Sequence, residues 1–426
     1  MVKTQYLLES ERNLWEIDEL EYDRRNMLDI ALNNHILGKD KKTGRYYLIK
    51  EQQIVLNGYF EFLLSQKARI KSARTVLNKI QNITLLAKTI QKPFSEVKKE
   101  EIIHYFASLQ TCRKPLKAQS IMLKQLHARE FFRWVHNDNN TSVVSWIRGT
   151  LKPCKKIDQA QLLTPSDIKR IVEATGNARD ACMIMLTYEC GLRLGEVSGI
   201  KIKNMRCTDN GFIIKVSGKT GEREAFVIDT EPYIREWLNQ HPYRNNPEAP
   251  LFINFSKSEY GRQLLRSGIS RIISLSAKKS GINKKVHPHL LRHSILDRLG
   301  KQGFKERDLR IFAGWSGDSK MPDTYLHYGS EEVHKKLLEL KGKTKPEDKI
   351  KEEQENKQLE PKTCNRCNKI NPATALYCNC GLALDKLKWI EDTERREKAD
   401  EKLNELFADA EFKELVKQYL AKKSIK

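Results

Sequence analysis

The chain's 426 residues suffice for two or three domains with cores of their own; 77 Lys plus Arg against 55 Asp plus Glu give +22, with an isoelectric point near 9.5. No apolar run reaches membrane-spanning length, and the opening "MVKTQYLLESERN" has acids where a secretory signal would be hydrophobic. Nine cysteines, five scattered and four crowded together, suit reduced thiols plus one metal site better than a disulfide framework. The expectation is a cytoplasmic protein without a membrane, whose positive charge suits a polyanionic partner such as nucleic acid.

Residues 1–50 are of mixed charge, with "LWEIDELEYDRRNMLDIAL" as their clearest helical segment, and suggest no chemistry. From about residue 51 to 150 the pattern is helical. Val76, Ile80, Ile83, Ala87 and Ile90 share one face; Ile102, Tyr105 or Phe106, and Leu109 form a second stripe; Ile121, Ala128, Phe132 and Val135 form a third. Lys117, Lys124, Arg129 and Arg133 lie off that third stripe, giving a small bundle with a basic exterior. "RGTLKPCKKIDQAQ" breaks the periodicity and reads as a linker.

A second domain, 163–340, opens at "LLTPSDIKRIVEAT", where Thr164 or Ser166 can cap a helix. The run "DACMIMLTYECGLRLGEV" predicts one long apolar helix, and "GFIIKVSGK" and "EREAFVI" predict a hairpin. Helices dominate again from about residue 264 to 340. Residues 341–363 are a charged linker, 364–385 hold the cysteine cluster, and 386–426 carry an amphipathic helical tail.

Within the second domain, Arg193 ends the apolar helix with Glu196 as a possible structural partner. Lys219 sits in a hairpin that also offers Lys215 and Arg223. His289 and Arg292 stand three apart, and Tyr325 and Tyr328 follow Trp315. Each alone is ordinary; together they assemble one chemistry. Two guanidiniums can clamp the oxygens of a phosphodiester and gain most in the pentacovalent transition state. A Lys can protonate a departing sugar oxygen, a His can donate to phosphate or shuttle a proton, and a tyrosine hydroxyl can store the bond as a phosphotyrosine.

This ordered set resembles the tyrosine recombinase, or phage integrase, family over roughly residues 50–340. "GLRLGE" is similar to the first arginine box, "HPHLLRHS" to the second, and "GWSGDSKMPDTYLHY" to the closing segment; the Gly-Trp and "DSKMP" resemble archaeal members. The resemblance implies a mainly α chain: a helical core-binding domain, a mixed α+β catalytic domain, and a zinc ribbon with a helical tail. It also implies Arg193, Lys219, His289, Arg292, Trp315 and Tyr325 as the catalytic set. Tyr325 with His327 meets the Tyr-x-His pattern, leaving Tyr328 to packing. Trp315 takes the place of the family's second His; its N–H can donate to phosphate but cannot carry a proton. In the family, duplex DNA is gripped from opposite sides and strands are cut and rejoined through 3′-phosphotyrosine in a tetramer, without nucleotide or divalent metal. The implied function is therefore a site-specific DNA recombinase or integrase. A type IB topoisomerase-like activity would use the same residues, and a catalytically silent DNA-binding regulator would have no use for Tyr325.

Cys364 and Cys367, then Cys378 and Cys380 after ten residues, make two thiolate pairs of the kind tetrahedral Zn²⁺ takes. The second pair is C-x-C in place of the usual C-x-x-C, and the segment resembles a small zinc ribbon. Its zinc is expected to be structural, with no cofactor for catalysis.

Overall fold

The computed structural model describes residues 48–65, 73–149, 158–218, 221–326 and 357–423, with a few positions between 334 and 342. The expectations for residues 1–47, for Lys219, His327 and Tyr328, and for most of the 341–363 linker lie outside the described residues. Two compact units divide the chain, residues 1–155 and 156–426.

The first unit packs helices α1 (Lys50–Ser65), α2 (Ala73–Ile90), α3 (Lys99–Thr111) and α4 (Ala118–Val135). The periodic stripes become its core: Val76, Ile80, Ile83, Ala87, Ile102, Ile121, Ala128 and Phe132 are all buried. Phe131, which no stripe included, is fully buried and meets Tyr59 and Phe94 edge-on, at 4.9 and 4.8 Å between ring centres. Buried Gln52 donates to the carbonyls of Ala87 and Lys92, and these bonds offset the cost of desolvating its amide. Two cations expected on the solvated face are engaged: Lys124 donates to Asn82, and Arg129 to the carbonyl of Ile147.

The second unit opens with α5 (Pro165–Glu173), where Thr164 accepts from the Asp167 amide and Asp167 accepts from the Thr164 amide, a reciprocal cap with Pro165 in the first turn. The expected single long helix is two: α6 (Ala178–Glu189) and α7 (Leu194–Ser198). Gly191 takes φ +53°, and the amides of Gly191 and Leu192 turn back to the carbonyls of Tyr188 and Thr187. This pair of bonds terminates a helix where only glycine pays no Cβ penalty. Every residue of α6 from Cys182 to Tyr188 is buried, because α5, α8 (Glu231–Gln240) and α10 (Pro288–Lys301) cover it.

The sheet is an antiparallel meander of β1 (Met205–Thr208), β2 (Gly211–Gly218) and β3 (Gly221–Val227). The predicted hairpin is β2–β3, with Gly218 opposite Gly221; β1 adds a strand absent from the sequence reading. Helices α9 (Arg266–Lys279) and α11 (Glu306–Ala313) complete the domain around Trp237, Phe252, Ile269, Leu291 and Leu309.

The cysteine segment is a two-stranded ribbon, β4 (Lys362–Thr363) and β5 (Ile370–Asn371), seated on α8, where the hydroxyls of Tyr233 and Thr374 lie 3.0 Å apart. Helices α12 (Lys386–Ala408) and α13 (Ala410–Lys423) form the tail, and no residue of α12 is buried. Among the described residues, no helix is long and apolar enough to cross a membrane.

Candidate active site

Three chain breaks place the site. The first is the Gly191 turn, which leaves Arg193 at the mouth of α7 in an extended conformation. The second is Gly314, whose φ of +60° ends α11 with the same bonding pattern, the amides of Gly314 and Trp315 returning to the carbonyls of Ile311 and Arg310. The third is the short turn Pro322–Thr324, which delivers Tyr325; the backbone there is a 3₁₀ turn in place of the expected helix.

The two arginines converge on consecutive carbonyls. Arg193 donates to Glu196 at 2.7 Å and to the Gly314 carbonyl at 3.1 Å. Arg292, on α10 and only 4% exposed, donates to the Gly191 carbonyl at 2.5 Å and to the Ala313 carbonyl at 2.6 Å. Burial first, then the nearby Arg193, lowers the Arg292 pKa to about 10, so it remains a cation at neutral pH. Its guanidinium lies 5.6 Å from the centre of the Trp315 ring. A cleft of about 200 Å³ opens here, with Arg193, Arg223, Arg310 and Trp315 in its walls.

Tyr325 is 5% exposed and its ring stacks on Trp315 at 5.6 Å. Its hydroxyl lies 2.5 Å from Nδ1 of His293, a residue of α10 that the sequence reading passed over. Burial pushes the Tyr325 pKa up to about 12, against the opposing pull of Arg292. The predicted His289 lies at the exposed rim of the same helix, its ring 6.0 Å from that of His293. Desolvation, then Arg292, His287 and Arg193, hold its pKa below the usual value. His287 caps α10 by accepting from the Leu290 amide.

Lys219 lies outside the described residues, but the base of its hairpin is fixed. A Cβ on Gly218 would come within 2.9 Å of the Glu196 carboxylate, so glycine lets the strand approach the Arg193 partner. Arg223, an alternative to Lys219 in the sequence, has its own task. It donates to Glu196 at 3.0 Å, to the Phe312 carbonyl at 2.7 Å and to the Cys190 carbonyl at 3.2 Å. Glu196 is thus shared by Arg193 and Arg223; burial opposes its charge, but the two guanidiniums outweigh that and leave its pKa lowered. The structure therefore brings Arg193, Arg292, Trp315 and Tyr325 to one place, with His289 at its rim.

A separate cluster lies in the ribbon. The sulfurs of Cys364, Cys367, Cys378 and Cys380 all fall within 4.8 Å of one another, with Cys364–Cys380 and Cys367–Cys378 each at 3.5 Å. A tetrahedron with metal–sulfur bonds of about 2.3 Å has edges of roughly 3.8 Å, so the four thiols fit a four-coordinate metal, whereas a disulfide needs about 2.05 Å.

Residues 161–332 match the phage integrase family. Among curated relatives, the tyrosine recombinase XerC of Escherichia coli O157:H7 (strain EC4115 / EHEC) is 26% identical over 187 residues, covering 43% of this chain and 61% of the relative, so the match spans about three fifths of that protein. A tyrosine recombinase of Pseudothermotoga lettingae is 25% identical over 245 residues, covering 56% of this chain and 80% of the relative. Among solved structures, a lambda integrase dimer bound to a COC′ core site shares the fold, with a TM-score of 0.51 at 17% identity, over 64% of this chain and 76% of that one.

Proposed function

We propose that the chain, whose residues 161–332 match the phage integrase family, is a tyrosine-type site-specific DNA recombinase or integrase. It cuts and rejoins duplex DNA through a 3′-phosphotyrosyl link to Tyr325. The observation that carries this reading is the convergence of Arg193 and Arg292 on the adjacent Gly314 and Ala313 carbonyls, beside the Trp315 ring on which Tyr325 stacks. Guanidiniums held that way are already oriented before the phosphate arrives, which is what stabilises a developing negative charge. Arg193 and Arg292 grip the scissile phosphate, Trp315 and His289 contact its oxygens, and Lys219 protonates the leaving 5′-oxygen. The helical unit at 51–150 is the DNA-gripping domain, 163–340 the catalytic domain, and the working form in the cytoplasm is a homo-tetramer on DNA.

A topoisomerase-like activity would need the same residues, so the distinction rests on sequence dependence and assembly. Incubated with a pool of duplexes, the protein is expected to exchange strands only between particular sequences and to assemble on them as a higher oligomer. Relaxation of any supercoiled plasmid by a monomer, without exchange, would favour the topoisomerase reading.

The metal in the ribbon is zinc, held by Cys364, Cys367, Cys378 and Cys380 and structural in role. Only Leu359, Cys364, Asn371, Ala373 and Cys378 are buried there, too small a core to fold by burial alone, so the metal supplies most of the folding energy. Purified protein is expected to carry about one zinc per chain with sulfur ligands. Cys364→Ser should lose that zinc and the protease resistance of residues 362–384, while adducts at Tyr325 persist in the mutant and in EDTA. Protein free of zinc by elemental analysis would refute the ribbon, and cleavage abolished by EDTA would refute metal-free chemistry.

A further inference from the structure

We propose that His293 is the proton acceptor for the nucleophile, taking the Tyr325 phenolic proton as the hydroxyl oxygen attacks phosphorus. The inference rests on the recombinase reading above and adds a residue and a role to it. Three observations carry it. The hydroxyl of Tyr325 lies 2.5 Å from His293 Nδ1, within the reach a general base needs, and the two rings stack at 5.7 Å between centres. Trp315 stacks on the same tyrosine ring, and an indole N–H cannot accept a proton. His289, the other imidazole of the helix, lies with its ring 6.0 Å from His293 at the exposed rim.

The step balances as follows. A bond forms between the Tyr325 hydroxyl oxygen and phosphorus, and the bond from phosphorus to the 5′-oxygen breaks. The phenolic proton moves to His293 Nδ1, and the departing oxygen takes its proton from the general acid, assigned to Lys219. Rejoining reverses both transfers, so His293 returns its proton to the tyrosine.

The neighbourhood explains why the pair rests in its neutral form without DNA. Burial, then His289, His287 and Arg292, hold the His293 pKa down at about 4, while burial raises that of Tyr325 to about 12, with Asp297 adding to the rise. A phosphate held beside Arg292 supplies negative charge that offsets the repulsion of an imidazolium by that guanidinium. Proton transfer is therefore easier when substrate is in place.

The test uses the full-length protein and a pool of nicked duplexes with randomised core sequences, each made with ordinary phosphodiesters or with a sulfur in place of the bridging 5′-oxygen. A thiolate leaves without a proton, so loss of a general acid is relieved by sulfur whereas loss of a base is not. His293→Asn places an amide oxygen near the Nδ1 position, able to accept the hydrogen bond but not the proton. It is expected to form adducts at least about a hundredfold more slowly on both substrates. Lys219→Ala should be slow on the ordinary duplex and recover on the sulfur one. Should His293→Asn lose its thermal transition, His293→Gln is read in its place. A variant at the wild-type rate, or one rescued by sulfur, overturns the assignment. Wild-type protein forming no adduct with any duplex removes the recombinase reading, and this proposal with it.

Discussion

Tyr325→Phe is expected to form no covalent protein–DNA adduct, while keeping its fold and its noncovalent affinity for DNA. The substitution removes one oxygen and leaves the ring, which stacks on Trp315 at 5.6 Å and on His293 at 5.7 Å. The folded state loses one hydrogen bond, to His293, which is half-buried and can turn to water, so the stability cost is about 1 kcal/mol. On the proposed reading the chemistry loses its nucleophile, since phenylalanine has no oxygen to bond to phosphorus. At its pKa of about 12 the free tyrosine is ionised on the order of once in a hundred thousand molecules at pH 7, so activation accompanies substrate binding. Tyr328→Phe, by contrast, should form adducts at the wild-type rate. Gel shift after denaturation measures both. An adduct in the Tyr325→Phe protein would move the nucleophile to another residue.

That Arg193, Arg292, Trp315 and Tyr325 belong together was legible in the sequence because they stand in short, ordered segments, and the structure brings them to one place. His293 was not, for a geometric reason. His289, Arg292 and His293 stand at i, i+3 and i+4 and share one helical face, so spacing does not say which histidine meets the tyrosine; only the turn at Pro322–Thr324 sets Tyr325 against His293. Arg223 was legible as a cation but not in its role. In β3 it shares a face with buried Ala225 and Val227 and stands opposite buried Val216, so the alternation aims it inward toward Glu196 rather than at solvent. The helix break at Gly191 was hidden by apolar residues on both sides, where periodicity continues although the backbone does not. The strand Met205–Thr208 has two half-buried and two exposed residues, too short and too weakly patterned to show. The bundle at 51–150 was the easiest to read, since its stripes repeat over several turns and burial follows them.

The arginine pair separates clamping a transition state from binding DNA. Arg193→Ala is expected to cost about 3 kcal/mol or more of transition-state stabilisation, a slowdown of at least about a hundredfold in adduct formation. DNA affinity should change far less, since a chain of +22 offers many other cations for phosphate contacts, whose sum depends steeply on salt. Arg193 is the cleaner probe, because its side chain is 21% exposed and its loss leaves Glu196 still paired with Arg223. Arg292→Ala removes the clamp and also strips the donors from the Gly191 and Ala313 carbonyls, so part of its effect is structural. Arg292→Lys distinguishes the two. It keeps the charge but replaces a planar fork, which meets two carbonyls, with a single ammonium. If the fork matters, Arg292→Lys stays slow at a wild-type melting temperature; if charge alone matters, it recovers. Cleavage and binding falling in equal measure in Arg193→Ala would reduce that residue to one phosphate contact among many, and the convergence on Ala313 and Gly314 would then hold the loop rather than the reaction.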